Sequence, residues 1–67
     1  MDDYYRVPEH ITSFDQIDIP IDITHVDISN RNFTSFKNCP DHITHLICCN
    51  NRITSFEYLP NSIKNLQ

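Results

Sequence analysis

Glycine and tryptophan are absent from this 67-residue chain. Without glycine, a turn that requires a positive φ angle must use another residue, and asparagine tolerates the left-handed region better than most. The chain contains seven asparagines, and these are expected to occupy the tight turns.

Basic residues are also scarce. Five Lys and Arg face nine Asp and Glu, which gives a net charge of −4. This balance disfavours contacts with phosphate backbones and anionic lipids, so neither nucleic acid nor a membrane is an expected partner. The longest apolar run covers only residues 46–49, and the N-terminus lacks the basic flank and apolar stretch of a signal peptide. These features predict a cytoplasmic protein.

Cysteine is present in a number that does not suit a disulfide framework. There are three cysteines, and two of them, Cys48 and Cys49, are adjacent. Such a set fits a reducing compartment better than an oxidising one. A chain of this length forms one domain at most and buries about 60% of its unfolded surface, so a large core is excluded.

A repeat of twenty residues organises the chain. Residues 43–62 align with residues 23–42, and apolar residues recur at positions 1, 4, 6, 11 and 14 of each unit. The residues at these positions are Ile23, Val26, Ile28, Phe33 and Phe36 in one unit, and Ile43, Leu46, Cys48, Ile53 and Phe56 in the next. Residues two apart share a face only in an extended chain, so positions 4 and 6 predict a short strand. The connection that follows contains a proline and is too short for a stable helix.

The repeat also predicts the domain boundaries. Residues 1–10 carry no unit of their own and are expected to form an N-terminal cap or tail. The repeats occupy residues 11–67, as a degenerate first unit (11–22), two full units (23–42 and 43–62) and a truncated unit (63–67). Pro20 falls at the same place as the prolines of the later units, which predicts a turn there rather than a strand.

This spacing, with Asn near position 9 of the unit, resembles the leucine-rich repeat family over residues 11–67. Ile, Val, Phe and Cys replace most leucines, and the Leu-Pro-x-x-Ile-x-x-Leu sequence at residues 59–66 is similar to the short repeats of giant-virus and related bacterial leucine-rich repeat proteins. The resemblance implies a right-handed solenoid with short parallel strands on a concave face, irregular turns on a convex face and little or no helix. A viral origin would place the protein in the cytoplasm of the host.

One position departs from the family pattern. Members usually place Asn at position 9, where its side-chain amide bonds the backbone of the neighbouring turn. Asn51 occupies this position in unit 43–62, but Arg31 occupies it in unit 23–42. Either the corner shifts by one residue or that turn is irregular, and the alignment of Asn30 with Asn50 favours the shift.

The candidate binding residues are those that project from the strands to the concave face. They are His25, Asp27, Ser29, His45, Ile47, Cys49, Asn65 and Gln67. Neighbouring strands lie about 4.8 Å apart, so His25 and His45 are expected to stack. The expected function is non-catalytic binding of a protein partner without a cofactor, and the alternative is a structural N-terminal capping fragment of a longer repeat array.

The same face offers two other chemistries. His25, Asp27, His45 and Cys49 are of the types that bind zinc or nickel, but no pair has the close spacing of a dedicated site. Cys49, His45 and Asp27 also form a possible nucleophilic set, but a shallow sheet lacks a water-excluding pocket and an oxyanion hole. Neither a metal site nor a catalytic site is therefore expected.

The sequence stops at position 5 of its last unit. Solenoids need capped ends and about three or more units, and an exposed sheet edge pairs readily with another strand. The sequence is therefore expected to be a fragment of a longer array or to associate end to end with another copy.

Overall fold

The computed structural model describes residues 3–67, which form one parallel sheet with almost no helix. The four strands are β1 (Tyr5–Arg6), β2 (His25–Asp27), β3 (His45–Ile47) and β4 (Asn65–Leu66), and a single 3₁₀ turn covers Phe14–Gln16. Strands that follow each other in sequence are neighbours in the sheet, in the order β1-β2-β3-β4. The expectation of a parallel sheet with very little helix is confirmed. No helix within the described range is long and apolar enough to cross a membrane.

The strand register follows the sequence periodicity. Val26 pairs with Leu46 and Leu46 pairs with Leu66, so equivalent residues of successive segments are twenty apart. Tyr5 pairs with Val26, a separation of 26 − 5 = 21 residues. The segment 1–10, expected to be a cap or tail, therefore includes the first strand of the sheet.

The core lies on one side of the sheet. Val26 and Leu46, at the centres of β2 and β3, are at most 1% exposed, and their neighbours in the strands are half-buried. Phe33 and Phe36 lie beneath them and are equally buried. The remaining buried apolar side chains are Val7, Ile11, Phe14, Ile19, Ile28 and Ile43. Because Val26 and Leu46 alternate with half-buried residues along β2 and β3, the sheet presents one face to the core and the other towards solvent.

Each proline begins a turn. The amide of Ile23 donates to the carbonyl of Pro20 at 2.9 Å, and the same bond recurs in residues 8–11, 40–43 and 60–63. Proline is therefore the first residue of each turn, and because it lacks the amide that a strand ladder needs, it suits a connection better than a strand. The prediction of a turn at Pro20 is confirmed.

Asparagine supplies most of the positive φ angles. Asn30, Asn32, Asn38 and Asn50 have φ angles between 58° and 67°, and Tyr58 has a φ of 70°. Asparagine reaches this region at low cost because its short polar side chain bonds the local backbone. The expectation that asparagine takes over the role of glycine is confirmed.

The side chain of Asn51 joins the turn after β3 to the turn after β2 through hydrogen bonds. Its Oδ1 accepts hydrogen bonds from the amides of Arg31 and Phe33, at 3.1 and 2.9 Å. Its Nδ2 donates to the carbonyls of Ile28 and Cys48, at 2.9 and 3.0 Å. One side chain therefore satisfies the backbone of two successive corners, which is the role that the family resemblance implied for an asparagine at this position.

The expected shift of the corner from position 31 to Asn30 is wrong. Arg31 keeps the position, and its Nε donates to the carbonyl of Val7 at 3.0 Å. Val7 follows β1 as Ile28 follows β2. The bond from Arg31 to Val7 is therefore the counterpart of the bond from Asn51 to Ile28 in the next layer, where a layer is one strand with the connection that follows it. Asn30 has a positive φ angle instead, so it shapes the turn through its backbone.

Candidate functional site

The solvent side of the sheet is the candidate site. Residues in the strands or directly next to them form two columns of side chains, here called the sheet face: Tyr4, His25, His45 and Asn65 in the first, and Arg6, Asp27, Ile47 and Gln67 in the second. The strands place these side chains outward because the residues between them, Val26 and Leu46, point into the core. Six of the eight sequence-predicted residues therefore lie together on this face.

The first column is built on two stacked histidines. The rings of His25 and His45 lie 4.0 Å apart with an angle of only 7° between their planes. Tyr4 contacts His25 edge-on, with ring centroids 5.2 Å apart. The predicted histidine stack is confirmed, and its direct cause is the pairing of His25 with His45 in the parallel ladder.

A threonine orients each histidine ring. Thr24 Oγ1 lies 2.9 Å from His25 Nδ1, and Thr44 Oγ1 lies 2.8 Å from His45 Nδ1. Thr44 Oγ1 also donates to the carbonyl of Thr24, so we assign the proton of this pair to His45 Nδ1. Neutral His45 then presents Nε2 as an acceptor, and neither ring has an Nε2 partner within residues 3–67.

The second column begins with a charged network. Arg6 Nη1 lies 2.8 Å from Asp27 Oδ2 and 2.9 Å from Ser29 Oγ. The amide of Ser29 also donates to Asp27 Oδ1, at 2.8 Å. Ser29 is only 6% exposed, because it lies beneath the guanidinium group, so its place among the surface contact residues is corrected.

Asp27 stays ionised because of this network. Burial acts to raise the pKa of Asp27, but the hydrogen bonds from Ser29 and the charge of Arg6 outweigh it, so its pKa lies below the usual value. A carboxylate whose pKa is lowered on folding stabilises the fold above its unfolded pKa, and this contribution disappears as the pH falls through the folded pKa.

We expect the Asp27→Asn variant to lose stability at neutral pH and to show a weaker acid dependence than the parent chain. The variant lacks the carboxylate, so its free energy of unfolding should fall less between about pH 5 and about pH 3. Urea unfolding followed by circular dichroism at several pH values measures this difference. Asp41→Asn, at an exposed position, should keep the acid dependence of the parent. Parallel pH profiles for parent and Asp27→Asn would contradict the assignment.

The rest of the sheet face is apolar or neutral. Ile47 is half-buried beside Asp27, while Asn65 and Gln67 are exposed at the last strand. Cys49 follows β3 and is an exposed free thiol. Cys39 and Cys48 are partly buried, and burial raises the pKa of Cys39 to about 12 and that of Cys48 above its ordinary value. These two thiols stay protonated at neutral pH and pack as small apolar groups.

Three of the four candidate metal ligands, His25, Asp27 and His45, lie on the sheet face, and Cys49 follows β3 outside it. Within residues 3–67, no three His, Cys, Asp or Glu side chains are arranged to hold a metal ion. The rings of His25 and His45 are nearly parallel, so their lone pairs do not converge. The Cys49–His45–Asp27 set is not connected either, because the hydrogen bonds of Asp27 go to Arg6 and Ser29.

Tyr4 and Arg6 belong to the sheet face, although sequence reasoning missed both. The alternation in Tyr4-Tyr5-Arg6-Val7, with Val7 buried, was the available signal of a strand. It was obscured because Val7-Pro8 resembles Cys39-Pro40, which precedes a strand rather than ending one. The first layer therefore contributes an aromatic ring and a cation to the surface.

The structure has a groove to which the sheet face contributes no residue. The groove has a volume of about 220 Å³ and is lined by Thr12, Ser13, Asp15, Thr34, Ser35, Lys37 and Asn38.

Comparisons of the chain with protein-family models, with curated proteins and with solved structures gave no match.

Proposed function

We propose that the chain is a right-handed leucine-rich repeat solenoid, and that it binds a protein partner through the sheet face, which would be its concave surface. Three features support the architecture: strands that repeat every twenty residues, parallel pairing of consecutive strands, and an asparagine that joins successive corners. Each layer then contributes one short strand and one irregular return, and stability comes from stacking neighbouring layers.

The histidine stack is the observation that carries the binding proposal. Two imidazole rings held in register by Thr24 and Thr44 present their Nε2 atoms side by side on a half-buried surface. Ordered side chains lose little entropy on binding, so they suit recognition better than mobile ones. Tyr4 and Ile47 add apolar contact area on either side of these polar groups.

The size of the surface limits the affinity. A face of four short strands offers on the order of 500 Å² per partner, which belongs with weak or transient complexes. Arg6 is already neutralised by Asp27, so the face has little net charge, and recognition depends on shape and hydrogen bonding. An extended peptide that crosses the strands can contact both columns at once.

A displayed library of random peptides tests the proposal with a defined probe. We expect selected peptides to bind the parent chain and to lose at least about tenfold in affinity for the double variant His25→Ala and His45→Ala, because truncating central contacts costs 1 kcal/mol or more each. Fluorescence polarisation of labelled peptides measures the change.

The matched control changes two residues outside the sheet face. Thr34→Ala and Thr54→Ala together alter exposed side chains at equivalent positions of the same two layers. Affinity for the selected peptides should change less than about twofold. Equal losses for both double variants, or peptides that bind only outside the sheet face, would refute the proposed interface.

A reducing compartment is also part of the proposal. Cys39, Cys48 and Cys49 are all free thiols, and none of them pairs with another in the structure. Exposed Cys49 persists as a thiol most readily where glutathione and thioredoxin keep cysteines reduced. The proposed location is therefore the cytoplasm.

A further inference from the structure

The last layer of the structure has an uncovered apolar surface. Phe56 is 72% exposed and Tyr58 is 57% exposed, while Phe36, one layer earlier in the same column, is 1% exposed. Four further apolar side chains nearby are only partly buried, and together these six residues are here called the open end: Ile53, Phe56, Tyr58, Leu59, Ile63 and Leu66. Apolar patches of this kind mark interaction surfaces.

The strand at the open end also has free backbone groups. The amide of Asn65 donates to the carbonyl of Thr44, just before β3, at 3.2 Å, and the amide of Gln67 donates to the carbonyl of Leu46 at 3.0 Å. Alternation in a parallel ladder then turns the amide and carbonyl of Leu66 away from β3. These two groups are one donor and one acceptor on the same residue, so two antiparallel copies of β4 satisfy each other with a reciprocal pair of hydrogen bonds.

We propose that two copies of this chain associate through their open ends, with their β4 strands antiparallel about Leu66. Phe56 and Tyr58 are buried between the two copies, and the sheets join into one sheet of eight strands. The contact is isologous, so it closes with two copies and leaves no open end for further growth.

Among the described residues, the apolar side chains of the first layer are less available than those of the open end. Val7, Ile11 and Phe14 are only 1–4% exposed, so a head-to-tail contact would bury little further area of these three side chains against the open end. Burial of apolar area outweighs exposed ion pairs, which contribute about 0–1 kcal/mol each. The mode that places two open ends together is therefore favoured.

The charge distribution permits this contact. Residues 1–42 contain three basic and eight acidic residues, a net of −5, and residues 43–67 contain two basic and one acidic residue, a net of +1, which together give −4. Contact through the open ends puts the acidic parts of both copies at the far ends of the dimer. Their mutual repulsion is then weakened by distance and by salt.

The dimer is expected to be weak. From principal extents of 26 × 24 × 21 Å, the end of one copy covers roughly 500 Å², or about 1,000 Å² for the pair. This area lies at the lower limit of specific interfaces, so we expect a Kd on the order of 100 µM.

Sedimentation equilibrium tests the proposal. The parent chain should be monomeric near about 10 µM, increasingly dimeric towards about 1 mM, and never larger than a dimer. Phe56→Glu should raise the Kd at least about tenfold, because it places a charge in the apolar contact. Methylation of the Leu66 backbone nitrogen in a synthetic chain should have the same effect without changing a side chain, because it removes the outward donor.

The control variant is Ile21→Glu, which changes an equally exposed apolar residue away from the open end and should leave the Kd unchanged. Circular dichroism verifies that each variant is folded. A parent chain that remains monomeric at about 1 mM would overturn the proposal and leave the open end to another occupant, such as further residues of a longer polypeptide. Species larger than a dimer, or equal losses for Ile21→Glu and Phe56→Glu, would overturn it as well.

Discussion

Asn51→Leu is expected to remove most of the stability of the fold. The substitution keeps the branching and the number of heavy atoms of the side chain but leaves the amides of Arg31 and Phe33 and the carbonyls of Ile28 and Cys48 without their partner. Each unsatisfied buried group costs about 1–3 kcal/mol, and a domain of this size has only about 3–10 kcal/mol in total. We expect a loss of about 3 kcal/mol or more, measured by urea unfolding.

Asn61→Leu provides the control for Asn51→Leu. Asn61 is exposed, and its side chain makes no hydrogen bond within residues 3–67. Its replacement should change the free energy of unfolding by less than about 0.5 kcal/mol. Near-equal effects at the two positions, or a loss below about 1 kcal/mol for Asn51→Leu, would show that water replaces the asparagine at the corner.

The periodic features of the fold were predictable from the sequence. Val26 and Leu46 pair in parallel strands because the apolar positions repeat at a fixed interval, and His25 stacks on His45 for the same reason. Pro20 and the asparagines mark turns through restrictions on their own φ angles, which depend little on tertiary context.

The features that sequence analysis missed depend on long side chains and irregular spacing. By register β1 lies 21 residues before β2. Ile11 follows Val7 by four positions whereas Phe33 follows Ile28 by five, so the first layer does not align with the others. The long side chain of Arg31 bonds the carbonyl of Val7 in the preceding layer. The shorter Asn51 makes the corresponding bond, to Ile28, in the next layer. No spacing rule anticipates such a reach.

The residues of the candidate site also include some that the sequence predicts and some that it does not. The columns of the sheet face follow from strand alternation, so Asp27, His45 and Ile47 could be assigned to it in advance. The burial of Ser29 could not, because it depends on the guanidinium of Arg6, which comes from a strand that the repeat pattern did not include.

The second large effect is expected for Phe36→Ala. Phe36 is 1% exposed, and its ring lies 6.4 Å from that of Phe56, with an angle of 8° between the two planes. Truncating a fully buried phenylalanine removes apolar contacts and leaves a cavity, at a cost of about 3–5 kcal/mol. We expect the urea midpoint of Phe36→Ala to fall sharply, or its cooperative transition to be lost. The midpoint of Phe36→Leu should lie between those of the parent chain and Phe36→Ala.

Phe56→Ala is the matched control, because it makes the same chemical change in the same aromatic column. Phe56 is 72% exposed, so at concentrations where the chain is monomeric its truncation should cost less than about 1 kcal/mol. If each layer is stabilised only by its neighbours, the stability that a side chain contributes depends on how much of it the next layer buries. Comparable losses at Phe36 and Phe56 would mean that the last layer already contributes a complete core, and both the open end and its proposed partner would lose their physical basis.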